Sequence, residues 1–188
     1  MSDLVDVILD VWNGVLSTKI AEKYKIGVDI FPTPQTMGNL LHEMIPILLY
    51  EKYPEQWRRD IVKNGKDLVC IANQKFSTEI KASSNKYTIF GNASYGKEDS
   101  SEKEKKNKDG YMLAIDFEKL TSNDPSFTPK ITKIRMGWLD YEDWHSQKST
   151  SGQQAKISAE TRKKLLVIYD YKKGGKKCIS YKKTNIAI

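Results

Sequence analysis

A change in hydrophobic periodicity near residue 66 constrains the fold of this chain more than any other feature. Before it, apolar residues recur every three or four positions, which is the spacing of amphipathic helices. After it, apolar residues form short runs or alternate with polar ones, which is typical of strands. Helices first, strands next and mixed elements last predict a single α/β or α+β sheet domain over residues 1–188.

Two helices are predicted in the first part of the chain. The first covers residues 3–24, and its apolar stripe is Leu4, Val7, Ile8, Val11, Trp12, Val15 and Leu16. A break follows at Phe31–Pro34, after which Thr36 can cap the second helix. Pro46 lies inside the second apolar stripe and should kink or split the helix, which Pro54 then ends.

The strand-like part begins with a predicted β-hairpin formed by residues 67–71 and 76–81. Further strands are expected at residues 87–90, 111–117, 131–138 and 165–169, with a short helix from Ser158 to Lys164. Residues 97–108 form a charged stretch without periodicity, and residues 144–156 are polar and irregular. Both stretches are predicted to be loops.

Charge and composition narrow the class of protein. Residues 156–183 carry 10 basic and 2 acidic side chains, so they hold the whole excess behind the net charge of +7. Such a segment suits a polyanionic partner, although a solvated lysine-rich surface is the alternative.

No apolar run approaches the roughly 18–20 residues of a membrane span, and no secretory signal is evident. Two cysteines and two scattered histidines, His42 and His145, are too few for a disulfide framework or a zinc site. We therefore expect no membrane partner and a reducing, cytoplasmic setting.

The predicted hairpin brings three charged residues together. Residues two apart in a strand share a face, so Glu79 and Lys81 lie side by side. If Asn73–Lys75 is a three-residue loop, Ala72 pairs with Phe76 and Asp67 lies across from Lys81, on the same face. A two-residue loop would shift the register by one and send Asp67 to the other face.

Two carboxylates beside a lysine suit metal-assisted cleavage of phosphodiesters. Mg²⁺ takes oxygen ligands, and Asp67, Glu79 and the backbone carbonyl of Ile80 can supply them. The ion lowers the pKa of a bound water, which Lys81 can orient or deprotonate. The alternative is a surface ion pair between Glu79 and Lys81, worth about 0–1 kcal/mol.

At these residues the chain resembles the PD-(D/E)xK nuclease superfamily. Asp67 and Glu79-Ile80-Lys81 match its signature, with Lys66 in place of the usual proline. Over about residues 36–169 the chain is similar to type II restriction endonucleases of the ScaI type. The segments that carry this second resemblance are Ala82–Asn85, Gly91–Gly96, Gly137–Asp140, Asp143-Trp144 and Gly152–Ala155.

The resemblance implies a restriction-endonuclease-like fold, with a mixed central β-sheet flanked by α-helices. It implies a Mg²⁺-dependent homodimer that cuts both strands of double-stranded DNA at a short palindrome and leaves 5′-phosphate ends. A cognate DNA methyltransferase is then expected in the same genome. The resemblance also implies that Glu43, on the second helix, points at the metal site; an exposed acid on an amphipathic helix is the alternative.

Polar residues near the hairpin and in the irregular segment are the candidates for DNA contact. Asn and Gln can bond adenine, and Lys can bond guanine, in the major groove. The candidates are Ser83, Asn85, Asn92, Ser94, Tyr95, Gln147, Lys148, Gln153, Gln154 and Lys156. Taken alone, each is more often a turn residue or a phosphate contact than a base-reading residue. Two other functions also stay open: a repair or junction-resolving nuclease of the same fold, and a non-catalytic basic DNA-binding module.

Overall fold

The computed structural model places three helices and eleven strands among the residues that it describes. These residues are 2–61, 65–85, 87–92, 95, 108–121, 127–145 and 154–173. The helices are α1 (Ser2–Ser17), α2 (Pro34–Lys52) and α3 (Ala159–Lys163). The strands are β1 (Lys19–Ile20), β2 (Tyr24–Lys25), β3 (Trp57–Arg59), β4 (Leu68–Cys70), β5 (Thr78–Ser83), β6 (Phe90–Gly91), β7 (Gly110–Phe117), β8 (Ile131–Leu139), β9 (Trp144–His145), β10 (Ala155–Ile157) and β11 (Leu166–Asp170).

A mixed six-stranded sheet organises the chain, in the order β11-β8-β7-β5-β4-β3. The pair β5–β7 is parallel, from Thr78 opposite Tyr111 to Ser83 opposite Asp116, and the other pairs are antiparallel. A smaller sheet has the order β6-β10-β9, and β1 pairs with β2. This arrangement confirms the predicted mixed sheet flanked by helices. None of the helices described is long and apolar enough to cross a membrane.

The two faces of the central sheet bury two different cores. Alternate residues of a strand point to opposite faces, so Leu113 and Ile115 of β7 face one side and Met112 and Ala114 face the other. The first side packs against the apolar stripes of α1 and α2. The second side packs against residues of the smaller sheet, including Trp144. Strand β5 therefore lies between two cores, and its polar residues Glu79 and Lys81 pair with Met112 and Ala114 of the second core.

Helix α1 is shorter than predicted, because the chain turns at Ser17 rather than near residue 24. The hydroxyls of Ser17 and Thr18 each donate to the carbonyl oxygen of Gly14, both at 2.9 Å. Such side-chain bonds compete with the helical ladder near its end. The residues that follow form the β1–β2 hairpin, whose turn contains Ala21 and Glu22 at positive φ.

Helix α2 begins two residues before the predicted cap. Thr33 is the capping residue, and its hydroxyl accepts from the backbone N–H of Thr36 at 3.2 Å. Pro34 follows at the first helical position, where its missing N–H costs nothing. Pro46 does not split the helix, although it cannot donate to the carbonyl oxygen of His42. Pro46 is buried in the interior, and the helix continues to Lys52.

Two glycines provide a matched test of this packing. A Cβ added at Gly91 of β6 would lie 2.6 Å from Cζ3 of the buried Trp144, whereas a Cβ at Gly14 of α1 would meet nothing within 4 Å. We expect Gly91→Ala to destabilise the fold by about 1–3 kcal/mol, as overpacking does. Gly14→Ala should stabilise it by about 0.5–1 kcal/mol, because alanine loses less backbone entropy in a helix. Denaturant unfolding of both variants measures the two changes, and equal effects would contradict this account.

Candidate active site

The hairpin β4–β5 forms, but in a register two residues away from the predicted one. Leu68 pairs with Thr78, which places Asp67 opposite Glu79 rather than Lys81. Residues Gln74–Phe76 form a 3₁₀ turn capped by Asn73, so the predicted pair of Ala72 and Phe76 does not form. Because side chains alternate with a period of two, a shift by two keeps every residue on its face.

Asp67 is held from two directions. Its Oδ2 accepts a hydrogen bond from the backbone N–H of Ile80 at 2.6 Å. The same oxygen lies 2.8 Å from Nε2 of His42, on α2. Only 11% of the Asp67 side chain is exposed, so this carboxylate is held in place at the start of β4.

Glu79 and Lys81 form a close ion pair. Nζ of Lys81 lies 2.6 Å from Oε1 of Glu79. The Lys81 side chain is 14% exposed and the Glu79 side chain is 9% exposed. A solvated surface pair would leave both side chains open to water, so the alternative interpretation does not fit this geometry. Because residues two apart in a strand share a face, both side chains of the pair lie next to Met112 and Ala114 of the parallel neighbour β7.

These residues line a cleft of about 540 Å³ between α2, β5 and the smaller sheet. Helix α2 contributes Gln35, Gly38, Asn39 and His42. The remaining side is rich in amides and hydroxyls. Its residues include Ser83, Ser84, Asn85, Asn92 and Gln154, together with Asp67, Glu79, Ile80 and Lys81. The cleft therefore combines a charged floor with hydrogen-bonding walls.

The predicted DNA-contact residues divide into three groups. Ser83, Asn85, Asn92 and Gln154 line the cleft. Lys156 is exposed on β10, opposite His145, and is not among the lining residues described. Ser94, Gln147, Lys148 and Gln153 lie outside the described residues, as does the part of the basic segment after Lys173.

Tyr95 is the predicted contact residue that the structure places in the interior. It is 7% exposed, and its ring packs against Trp144 with centroids 4.9 Å apart. Nζ of Lys81 lies over the same ring, 5.9 Å from its centroid. Burial, followed by the negative charges of Glu79 and Asp67, raises the pKa of Tyr95 well above its ordinary value. Tyr95 therefore packs beneath the ammonium of Lys81 and is not among the described residues that line the cleft.

On α2, His42 rather than Glu43 faces the carboxylates. At 100° per residue, Gln35, Asn39 and His42 fall on one side of the helix, and all three line the cleft. Glu43 is exposed and is absent from the described lining residues. The sequence-based prediction missed His42 because the two histidines were considered only as possible zinc ligands. The spacing of four and then three among polar residues beside an apolar stripe was the available signal.

Two further titratable side chains, His42 and Lys66, interact electrostatically with the paired acids. The hydrogen bond with Asp67 raises the pKa of His42, while partial burial opposes it. Lys66 stands where the signature has proline, and burial lowers the pKa of its ammonium. The nearby carboxylates of Glu79 and Asp67 oppose that lowering. Lys66 is therefore a second lysine within electrostatic range of the paired acids.

The donor set fits a hard cation that keeps part of its water shell. Among the residues described, no group of three or more His, Cys, Asp or Glu side chains is arranged to hold a metal alone. Mg²⁺ needs only one or two carboxylates, with water and substrate phosphate completing its coordination. The N–H and C=O of one residue in a strand point to the same neighbour. Since the N–H of Ile80 points at Asp67, its carbonyl faces the same edge and can add a third oxygen.

Comparison with known proteins identifies the family. The sequence profile of the ScaI restriction endonuclease family matches residues 1–169. The type II restriction enzyme ScaI of Streptomyces caespitosus is 46% identical over 156 residues, covering 83% of this chain and 67% of that enzyme. No solved structure matches. The chain therefore belongs to the ScaI restriction endonuclease family and is a site-specific deoxyribonuclease.

Proposed function

We propose that this chain is a type II enzyme that uses Mg²⁺ to hydrolyse both strands of double-stranded DNA at a short palindrome, leaving 5′-phosphate ends. The observation that supports the proposal best is the convergence of Asp67, Glu79 and Lys81 on one floor of an amide-lined cleft. Family membership supports the restriction activity, and the residues that line the cleft support the metal-dependent hydrolysis proposed here.

In this proposal the carboxylates of Asp67 and Glu79 hold the cation, and the Ile80 carbonyl adds a neutral oxygen. The bound ion would supply Lewis acidity and a water of lowered pKa. Lys81 would orient the attacking water and stabilise the negative charge that develops on the phosphate, since its ammonium lies 2.6 Å from Glu79 and over the ring of Tyr95. Glu43 is given no role in this scheme, because it is not among the described residues that line the cleft.

The cleft walls are proposed to contact DNA. Asn85, Asn92 and Gln154 carry amides that can donate to and accept from a base edge, and Ser83 can bond a phosphate. Lys156 and the rest of the basic segment would bind the DNA backbone. The described part of the chain contains one such site, and cutting both strands of a palindrome would then call for a homodimer. We further propose action in the cytoplasm, with a cognate methyltransferase in the same genome.

Cleavage of a plasmid in the presence of Mg²⁺ tests the proposal. Discrete fragments whose ends can be ligated without kinase treatment are expected, since 5′-phosphates are retained. Omitting the metal or adding a chelator should stop the reaction. A smear, or preference for branched DNA, would support a repair or junction-resolving nuclease instead. Binding that weakens with salt, without any cleavage, would support a DNA-binding module.

A further inference from the structure

The two oxygens of the Asp67 carboxylate have different surroundings. Oδ2 has two donors, the backbone N–H of Ile80 at 2.6 Å and Nε2 of His42 at 2.8 Å. Within the part of the chain that is described, the hydrogen bonds to this carboxylate all go to Oδ2. One oxygen is therefore engaged by the protein, while Oδ1 is left for a ligand in the cleft.

The two donors come from different elements, which fixes the plane of the carboxylate. Ile80 belongs to β5, and His42 belongs to α2, which packs against β5. A single hydrogen bond would let the carboxylate rotate about its last torsion and exchange its oxygens, since such torsions are broad. Nε2 carries a proton in the imidazolium and in one neutral tautomer, so donation does not require a charged ring.

We propose that His42 is a positioning residue that holds Oδ2 of Asp67, so that Oδ1 alone is presented to the metal ion. The inference rests on the proposed metal site at Asp67 and Glu79. It assigns to His42 the role of an outer-shell hydrogen-bond donor, which orients a ligand without touching the ion. Asp67 then acts as a ligand through one oxygen.

One-oxygen coordination has a consequence for metal selectivity. Mg²⁺ demands near-ideal octahedral geometry and is poorly served by a carboxylate that binds through both oxygens. Ca²⁺ accepts carboxylates in either mode and tolerates flexible geometry. Freeing Oδ2 should therefore weaken Mg²⁺ binding while leaving Ca²⁺ binding little changed. A general loss of packing would weaken both ions alike.

Calorimetric titration of the full chain with Mg²⁺ alone and with Ca²⁺ alone tests the inference. His42→Phe keeps a ring but removes the donor, and we expect it to lower Mg²⁺ affinity by about 10–100-fold. The Ca²⁺ affinity should change by less than about threefold, because that ion tolerates both modes. His42→Gln places an N–H at nearly the same reach and should restore Mg²⁺ affinity. The Mg²⁺ concentration for half-maximal cleavage should shift in the same order across the variants.

Asp67→Asn separates failure of this inference from failure of the proposed function. If Asp67→Asn binds Mg²⁺ like the parent, the metal site itself is wrong. If Asp67→Asn loses binding while His42→Phe keeps it, only the positioning role is wrong. If His42→Phe lowered the affinities for Mg²⁺ and Ca²⁺ by the same factor, the positioning role of His42 would also be wrong. Should His42→Phe fail to fold by circular dichroism, His42→Ala, which adds no volume, decides the question in the same titrations.

Discussion

Replacing Asp67 by Asn should reduce DNA cleavage by about 10²–10³-fold, which is typical when one group that stabilises transition-state charge is removed. Glu79→Gln should have an effect of similar size. Both amides keep the shape of the acid but lose the negative charge that gathers a cation. Specific DNA binding should persist, since the amide walls of the cleft are untouched. Single-turnover cleavage and a gel-shift assay on the same DNA measure the two properties separately.

Glu160→Gln is the matched control for these variants. Glu160 pairs with Lys163 on α3, and its side chain is 80% exposed, so the loss of its charge should change neither cleavage nor stability measurably. Comparable cutting by Asp67→Asn and Glu160→Gln would show that the acids of the hairpin are not the catalytic ones. Loss of binding together with cleavage in Asp67→Asn would indicate a structural role instead.

Arg135→Ala should destabilise the fold by about 3–5 kcal/mol, the usual cost of leaving one member of a buried ion pair unpaired. Nη1 of Arg135 on β8 lies 2.6 Å from Oδ2 of Asp116 on β7, and both side chains are less than 10% exposed. Burial raises the pKa of Asp116, and the guanidinium opposes that rise. At roughly 2–4 °C per kcal/mol for a domain of this size, the melting temperature should fall by about 6–20 °C.

Acid should reduce this penalty, which distinguishes a lost charge partner from a simple cavity. Without Arg135, the folded-state pKa of Asp116 rises further above its unfolded value. Stability is then greatest below the unfolded pKa and is lost as the pH rises through the folded pKa. The loss of stability caused by Arg135→Ala should therefore shrink as the pH falls from the folded-state pKa of Asp116 towards its unfolded-state pKa. Replacing both partners by Asp116→Leu and Arg135→Met should recover much of the loss. A deficit that is the same at every pH would contradict this explanation.

The face of the hairpin was predictable although its register was not. The pattern around Asp67, Glu79 and Lys81 has a period of two, so a register error of two leaves all three on one side. The error arose at Gln74–Phe76, where a 3₁₀ turn removes Phe76 from the strand. Periodicity carries no information about such a turn, because it reflects burial and not local hydrogen bonding.

The helix ends show a similar limit. Helical spacing correctly marked the buried stripe of α1, including Val11 and Trp12. It did not mark the end at Ser17, where short-range bonds to Gly14 compete with the helix. Thr33, not Thr36, caps α2, although both hydroxyls were available within one turn. Burial patterns extend over many residues, whereas a helix end depends on one or two hydrogen bonds.

The sequence by itself determined that three candidate catalytic residues lie together. Asp67, Glu79 and Lys81 are linked by strand spacing, and local periodicity suffices to place them together. Only the tertiary structure decided what surrounds them. The packing of α2 against β5 brings His42, and not the adjacent Glu43, to Asp67, and the second core buries Tyr95 beneath Lys81. The physical reason is that these contacts join residues 14 or more positions apart, so they depend on how whole elements dock and not on the pattern within any one of them.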